Sequence, residues 1–97
     1  MRISKRDDNT IIIFIEHDIM GDTLGELGTK LKEMSQQNQK IIIDLKKVKY
    51  AVSSFVTFME ESFEEFGQKK IKLVLRNCND RIKDLFGVLT KQEIEFE

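Results

Sequence analysis

Two adjacent serines, Ser53 and Ser54, are the side chains whose chemistry and position suggest a specific task. They follow a β-branched run and open an amphipathic pattern, so they fall at the start of a predicted helix. A serine at a helix N-cap satisfies an unpaired backbone amide. A phosphate on the same hydroxyl would meet the positive end of the helix dipole. Ser54, placed at the N-cap, is therefore either a simple cap or a phosphorylation site, and Ser53 is the second candidate.

The other reactive side chains do not form a catalytic or metal-binding set. The sequence has one histidine, His17, and one cysteine, Cys78. No nucleophile is spaced beside the histidine, and one Cys with one His is too few for zinc. The glycines at 21, 25 and 28 match neither the P-loop nor the dinucleotide pattern. We therefore expect no enzyme, no metal and no cofactor, with His17 in a surface loop and Cys78 as an apolar filler.

Length and charge predict one small domain, covering residues 1–97, that binds neither nucleic acid nor a membrane. The 97 residues are 40% apolar and 34% charged, and 16 basic against 17 acidic side chains give a net charge of −1. This balance offers no basic face to phosphates. The longest apolar run, residues 11–15, is too short to cross a bilayer. The lack of a signal-peptide pattern and the single cysteine indicate a cytoplasmic protein.

Runs of β-branched residues predict the strands. Residues 10–15, 41–45 and 71–75 are almost continuously apolar, as strands of a buried parallel sheet are. Residues 93–97 alternate strictly, which is typical of an edge strand with one wet face. The sequence leaves open whether the domain dimerises through this edge. Residues 1–6 are a further strand candidate. The deepest core positions are expected to be Ile13, Ile42, Ile43, Leu73 and Val74.

Three amphipathic patterns between these strands predict helices. The first should begin at Thr23, because Thr23 and Glu26 form a capping-box pattern. The second should follow the serines and end at Gly67, and the third should run from about Asp80 to Gly87. Their apolar stripes are Leu24, Leu27, Leu31 and Met34; Val56, Met59, Phe63 and Phe66; and Ile82, Leu85 and Phe86. The alternation predicts an α/β open sandwich: a mixed sheet of four to five strands with three helices packed on it.

The segment over residues 41–56 resembles the motif of the STAS domain family, which includes bacterial anti-sigma factor antagonists. It reads as a buried strand ending in Asp44-Leu45, a short turn, and Ser53-Ser54 opening a helix. The family typically has Asp-Leu-Ser-x-Val-x-Phe-Ile-Asp-Ser-Ser-Gly-Leu at this place. The resemblance covers nearly the whole chain in element order. It implies a STAS-like fold and phosphorylation of the second serine, Ser54, by a partner kinase.

The sequence departs from the family motif at three positions. Val52 stands where the family has Asp before the serines, and Phe55 stands where it has Gly after them. The acidic residue of the preceding loop falls on Met20. These acidic residues normally border the phosphorylation loop and the kinase-binding surface, so their replacement makes the phosphorylation-loop motif degenerate.

Candidate partner-binding residues surround the serines on both sides. Met20 and Asp22 lie in the loop that the resemblance places beside the phosphorylation loop. On the second predicted helix, Phe55 and Phe58 lie beside the core stripe, so they are either exposed anchors or packed against the sheet edge. Like charges spaced four residues apart repel, and this helix carries two such pairs; the candidates among them are Glu60 and Glu61.

The resemblance implies a non-catalytic interaction domain that acts like an anti-sigma factor antagonist. Its partner would be a serine-kinase anti-sigma factor, and phosphorylation of Ser54 would break the contact. The alternative is a STAS-type accessory or scaffold subunit that binds a transporter ATPase or another partner without phosphorylation. Val52 and Phe55 favour this alternative.

Overall fold

The apolar runs form the centre of a four-stranded sheet. The computed structural model describes residues 1–7, 9–36, 39–89 and 95–97. Within these residues the chain forms seven elements in sequence: β1 (Arg2–Lys5), β2 (Thr10–Phe14), α1 (Gly21–Met34), β3 (Lys40–Asp44), α2 (Ser54–Gln68), β4 (Lys72–Arg76) and α3 (Asp80–Leu89). The predicted alternation of strands and helices is confirmed for these elements.

The sheet has the strand order β1-β2-β3-β4. β1 pairs antiparallel with β2, whereas β2–β3 and β3–β4 are parallel pairs. The ends of these two strands meet at Arg6, whose amide donates to the Thr10 carbonyl at 3.0 Å. A helix connects each parallel pair, because parallel strands cannot be joined by a hairpin. The predicted α/β architecture, a mixed sheet with three helices packed on it, is confirmed.

One face of the sheet carries the three helices. Alternate strand residues point to this face. They form one apolar cluster with Leu27 and Leu31 of α1, with Met59 and Phe66 of α2, and with Ile82 and Phe86 of α3. Of the five predicted core positions, Ile13, Ile43 and Leu73 lie in this cluster, and all five are buried.

The opposite face of the sheet has a smaller apolar centre. Ile12, Ile42 and Val74 stand side by side in register on β2, β3 and β4 and are buried, with Phe14 packed against them. Two lysines at one end of this face pair with the C-terminal residues: Lys40 with Glu97 at 3.3 Å, and Lys72 with Glu95 at 3.1 Å. The C-terminal residues therefore neutralise a row of positive charge on this face.

The last three residues lie against the outer edge of β4. Phe96 forms an isolated parallel bridge with Leu75, whose amide donates to the Glu95 carbonyl at 3.1 Å. The Phe96 ring meets the Phe86 ring edge-on with centroids 5.9 Å apart. The predicted edge strand at 93–97 is thus observed as a bridge over residues 95–97, and residues 93 and 94 lie outside the described part of the chain.

Three predicted helix boundaries are wrong. α1 begins at Gly21, two residues before Thr23, because the Thr23 hydroxyl accepts the Met20 amide at 3.1 Å from inside the first turn. α2 continues through Gly67 to Gln68, and its exit is made at Lys70, which adopts a positive φ of 60°. α3 continues past Gly87 to Leu89. For α1 and α2, backbone hydrogen bonds reach beyond the residue chosen from local preference: the Leu24 amide donates to the Met20 carbonyl, and the Lys69 amide donates to the Glu65 carbonyl.

We expect truncation of the core on either sheet face to destabilise the fold strongly. Ile42→Ala and Leu73→Ala should each lower the free energy of unfolding by about 2–5 kcal/mol, because each leaves a cavity in packed apolar surroundings. Urea unfolding monitored by circular dichroism measures this. Met20→Ala, at a side chain that is 47% exposed, is the control and should change stability by less than about 0.5 kcal/mol. Equal stability of Ile42→Ala and the control would contradict the packing of the second face.

Candidate functional site

The candidate site lies at the carboxyl ends of β2 and β3, where two loops lead into α1 and α2. Ile19 of the first loop and Ala51 of the second form a parallel bridge. The Ile19 amide donates to the Tyr50 carbonyl, and the Val52 amide donates to the Ile19 carbonyl, both at 2.9 Å. Ile19 and Ala51 are buried beneath this bridge. The beginnings of α1 and α2 are therefore held next to each other.

Asp18 fixes the two loops by accepting hydrogen bonds through one carboxylate oxygen. Its Oδ1 receives the amide of Lys49 at 2.9 Å and the amide of Tyr50 at 3.1 Å. The Lys49 amide bond, followed by the Tyr50 amide bond, lowers the pKa of the Asp18 carboxyl below its ordinary value of 3.8. Amides favour the charged form of a carboxyl because they stabilise only its negative charge. Sequence reasoning did not single out this residue.

Asp44 is the last residue of β3, and it anchors the start of the turn that contains Lys49 and Tyr50. It is only 4% exposed. Its Oδ1 accepts the Lys46 amide at 2.9 Å, and the Asn77 side-chain amide reaches both oxygens at 3.3 and 3.1 Å. Arg76 lies 3.9 Å from Oδ2. Asn77 holds this position with a positive φ of 57°, a conformation that asparagine tolerates better than most residues.

Asn79 completes the anchoring from the side of α3. Its side-chain nitrogen donates to the Val48 carbonyl at 3.1 Å, while its Oδ1 accepts the Ile82 amide at 2.9 Å and caps α3. The lysine turn, defined as residues 46–50, is therefore tied to β3, to the loop before α1 and to the start of α3. Its exposed lysines sit on a backbone with little freedom.

Ser53 and Ser54 are both exposed at the start of α2. Ser53 occupies the N-cap and Ser54 is the first helical residue, which corrects the prediction of Ser54 at the N-cap. Ser53 makes no side-chain cap hydrogen bond. The backbone closes the turn instead, through the Phe55 amide on the Val52 carbonyl and the Val56 amide on the Ser53 carbonyl. Helix capping therefore does not explain why serines occupy these two positions.

Phe55 is wrongly predicted as a partner contact. Its side chain is 0% exposed and meets the Phe86 ring edge-on at 5.7 Å, so it anchors α2 to α3. Phe58 is half-buried, and its ring would lie 3.5 Å from a Cβ placed on Gly28, so it packs between α1 and α2. Glu60 is half-buried, and Glu61 is exposed. On α2, Glu61 is therefore accessible to a partner, whereas Phe58 is accessible only in part.

Met20 and Tyr50 are the exposed large apolar side chains of the described residues, each at 47%. They flank the Ile19–Ala51 bridge, Met20 on the first loop and Tyr50 on the second. Asp22 follows two residues after Met20, in the first turn of α1, and accepts the Thr23 amide at 3.0 Å. Met20, Tyr50, Ser53 and Ser54 together define what we call the loop surface. Tyr50 was missed from sequence, although a lone tyrosine in a lysine-rich turn was a usable signal.

The one cysteine and the one histidine differ in their surroundings. Burial raises the pKa of the Cys78 thiol to about 11, so the thiol stays protonated at neutral pH. His17 is exposed, with its Nδ1 3.1 Å from the Asp18 carbonyl oxygen. Across the described ranges, no cluster of three or more His, Cys, Asp or Glu side chains could hold a metal ion. None of the helices in those ranges is long and apolar enough to cross a membrane.

This combination of a four-stranded mixed sheet, three helices on one face and a Ser-Ser helix start defines a STAS-type α/β domain. The sequence matches the STAS domain description over residues 2–95, so the chain belongs to the STAS domain family. A comparison with curated proteins gave no significant match.

Solved structures with the same fold include two forms of one regulator. The anti-sigma factor antagonist SpoIIAA in its unphosphorylated form superposes with a TM-score of 0.79 at 13% identity, covering 99% of this chain and 86% of that one. The Bacillus cell fate determinant SpoIIAA in the phosphorylated form gives 0.75 at 14% identity, with coverages of 89% and 79%. At these identities the likeness establishes the fold.

We expect Asp18→Asn to loosen the paired loops in a pH-dependent way. The folded-state pKa of Asp18 lies below 3.8, its ordinary value. The carboxylate therefore adds stability above pH 3.8 that is lost as the pH falls through the lowered folded value. The variant should have the lower urea midpoint at pH 7, and the gap should close in acid. Asp84→Asn, at an exposed aspartate of α3, is the control; equal midpoints for the wild type and Asp18→Asn at pH 7 would contradict the role of Asp18.

Proposed function

We propose that this STAS domain is a regulatory interaction domain that acts as an anti-sigma factor antagonist. Its partner is a serine-kinase anti-sigma factor, which it engages through the loop surface. The observation that supports this most is the exposure of two large apolar side chains, Met20 and Tyr50, close in sequence to the start of α1 and to two serines at the start of α2. The serine hydroxyls do not serve as a helix cap. The SpoIIAA likeness in fold agrees with the proposal.

The energetic centre of the contact is the pair Met20 and Tyr50. Apolar and aromatic side chains that become fully desolvated carry most of the energy of an interface, whereas rim charges contribute less. The bridge between their loops holds both in place, so little conformational entropy is lost on binding. Glu61 of α2 and Asp22 of α1 are both exposed, and in this proposal they supply an acidic rim. A partner with an apolar pocket bordered by basic residues fits this pattern.

Phosphorylation of Ser54 breaks the contact in this proposal. Its hydroxyl is exposed and has no hydrogen-bond partner among the described residues. A phosphate there adds about −1.5 to −2 charges. The helix dipole tolerates this charge in the free domain. Burying it against a partner is unfavourable, because the charge must lose its water without a new counterion. Ser53, which is also exposed, is the second acceptor.

We expect alanine at the loop surface to weaken binding without unfolding the domain. The Met20→Ala, Tyr50→Ala double variant should lose at least about tenfold in affinity for the serine-kinase anti-sigma factor of the same genome. Its thermal midpoint should stay near that of the wild type. Isothermal titration calorimetry and differential scanning calorimetry measure the two quantities.

Phe55→Ala is the matched comparison for that test. It removes a buried ring and should cost about 3–5 kcal/mol of folding stability. Glu61→Ala, at the acidic rim, should change affinity by a smaller factor than the double variant and should make it less sensitive to salt. Wild-type affinity of the double variant would move the interface away from the loop surface.

We expect Ser54→Asp to weaken partner binding by at least about tenfold, or roughly 1.4 kcal/mol, while Ser54→Ala binds normally. Ser53→Asp should have a smaller effect. Ser53→Ala is its control, and circular dichroism checks that all four variants remain folded. Mass spectrometry of the domain incubated with the kinase and ATP then identifies the modified residue.

The same experiment separates the switch from the alternative function. Equal binding by Ser54→Asp and Ser54→Ala, with no phosphate on either serine, would contradict phosphorylation control. The loop surface would then serve an accessory or scaffold subunit that binds a transporter ATPase or another partner constitutively. The packing of Phe55 at the position of the family glycine favours this second candidate, because the helix start is held rigidly by an aromatic contact.

A further inference from the structure

A cavity of about 220 Å³ opens on the sheet face opposite the helices, where β2 and β3 end. Its lining residues are Arg2, Phe14, Ile15, Glu16, Asp44, Lys46 and Lys47. Phe14 belongs to the second apolar cluster, which is separate from the one under the helices. The cavity is therefore a different feature from the loop surface, and it has no part in the proposed function. Carboxyl ends of strands in open α/β sheets are the usual places for ligands.

Three unpaired cations converge on this cavity. Arg2, Lys46 and Lys47 form no salt bridge with any residue in the described ranges. The Arg2 guanidinium lies 4.5 Å from the centroid of the Phe14 ring, which positions it over the aromatic wall. A guanidinium held this way presents its donors in a fixed plane, which suits a tetrahedral oxyanion.

The two carboxylates in the wall do not cancel these cations. Asp44 already accepts hydrogen bonds from the Lys46 amide and from the Asn77 side chain, and it has Arg76 beside it. The negative charge of Asp44 is therefore already stabilised by these protein groups. Glu16 is exposed at the rim. Three cations against two carboxylates leave the lining with a net charge of +1, before Arg76 is considered.

The cavity wall is rigid before any ligand arrives. The Lys46 amide is fixed on Asp44, the Val48 carbonyl on Asn79, and the Lys49 amide on Asp18. On the other side, the Ile15 amide donates to the Asp44 carbonyl at 3.1 Å. A ligand would thus order only the lysine side chains, and binding would lose little to conformational entropy.

We propose that this cavity binds a small phosphomonoester. The phosphate would lie among Arg2, Lys46 and Lys47, and a small planar or apolar substituent would lie against the edge of the Phe14 ring, whose face Arg2 covers. Drug-sized pockets measure about 300–1,000 Å³, so this smaller volume fits a phosphate with a short substituent and excludes a dinucleotide. The same group can come from a free metabolite or from a phosphorylated side chain of another protein.

The test is a titration of the ¹⁵N-labelled domain, followed by two-dimensional NMR at constant ionic strength. The probes are inorganic phosphate, phenyl phosphate and a short phosphoserine peptide. We expect saturable shifts at the amides around residues 15–16 and 46–47, with phenyl phosphate binding more tightly than inorganic phosphate. Arg2→Gln should weaken phenyl phosphate by about tenfold, as loss of a charge-assisted contact does.

Matched variants make the result specific. Arg6→Gln removes the same charge beyond the other end of β1 and should leave the affinity within about twofold, since Arg6 does not line the cavity. Phe14→Leu should erase the preference for phenyl phosphate over inorganic phosphate, and it should also weaken the binding of inorganic phosphate, because the Arg2 guanidinium loses the ring that positions it.

Each outcome decides the proposal. Tighter binding of the phosphoserine peptide than of phenyl phosphate would support it and identify a protein-borne group, whereas the reverse order would support it and identify a free metabolite. Non-saturable shifts, shifts spread over lysines outside the cavity, or an equal loss in Arg2→Gln and Arg6→Gln would overturn it. Failure here would leave the loop surface untouched, because that test uses other residues, none of which lines the cavity.

Discussion

The bridge between Ile19 and Ala51, held from one side by Asp18, is the constraint on which the exposed surface depends. It extends the pairing of two loops beyond the ends of β2 and β3, and it buries both bridge residues. Two backbone amides on one carboxylate oxygen close the arrangement at 2.9 and 3.1 Å. Because the bridge fixes both loops, the exposed residues Met20 and Tyr50, which directly follow and precede the two bridge residues, are held on the same surface.

Much of the fold followed from periodicity. Continuous isoleucine runs predicted parallel strands, since a strand that is buried on both faces needs no polar alternation. Helix ends were less predictable, because a helix stops where its last hydrogen bonds stop. Gly67 was a reasonable C-terminal signal, but α2 continued, and a lysine with positive φ made the exit. Thr23 was a reasonable helix start, yet it lies inside the first turn of α1, where its hydroxyl accepts the Met20 amide.

The candidate site was predicted only where local sequence was sufficient. The serines were found because they mark a strand-to-helix transition. Phe55 was misplaced because the apolar stripe of α2 is wider than one row, and the ring of Phe86 covers its side. Asp18 and Asn79 were missed for a different reason. Their partners lie about thirty residues away in sequence, and no local pattern encodes a contact of that range.

The two departures from the family motif that flank the serines both remove polar or flexible character. Where the family has glycine, this chain has Phe55, whose ring packs on α3. Where the family has aspartate, it has Val52, whose side chain is half-buried and whose backbone amide donates to the Ile19 carbonyl. Before the serines an apolar side chain has taken the place of a charge, and after them a packed aromatic ring has taken the place of a glycine. Within residues 52–55 no ionisable side chain remains. Any electrostatic control of this helix start must therefore arrive as a charge added to a serine hydroxyl or brought by a partner.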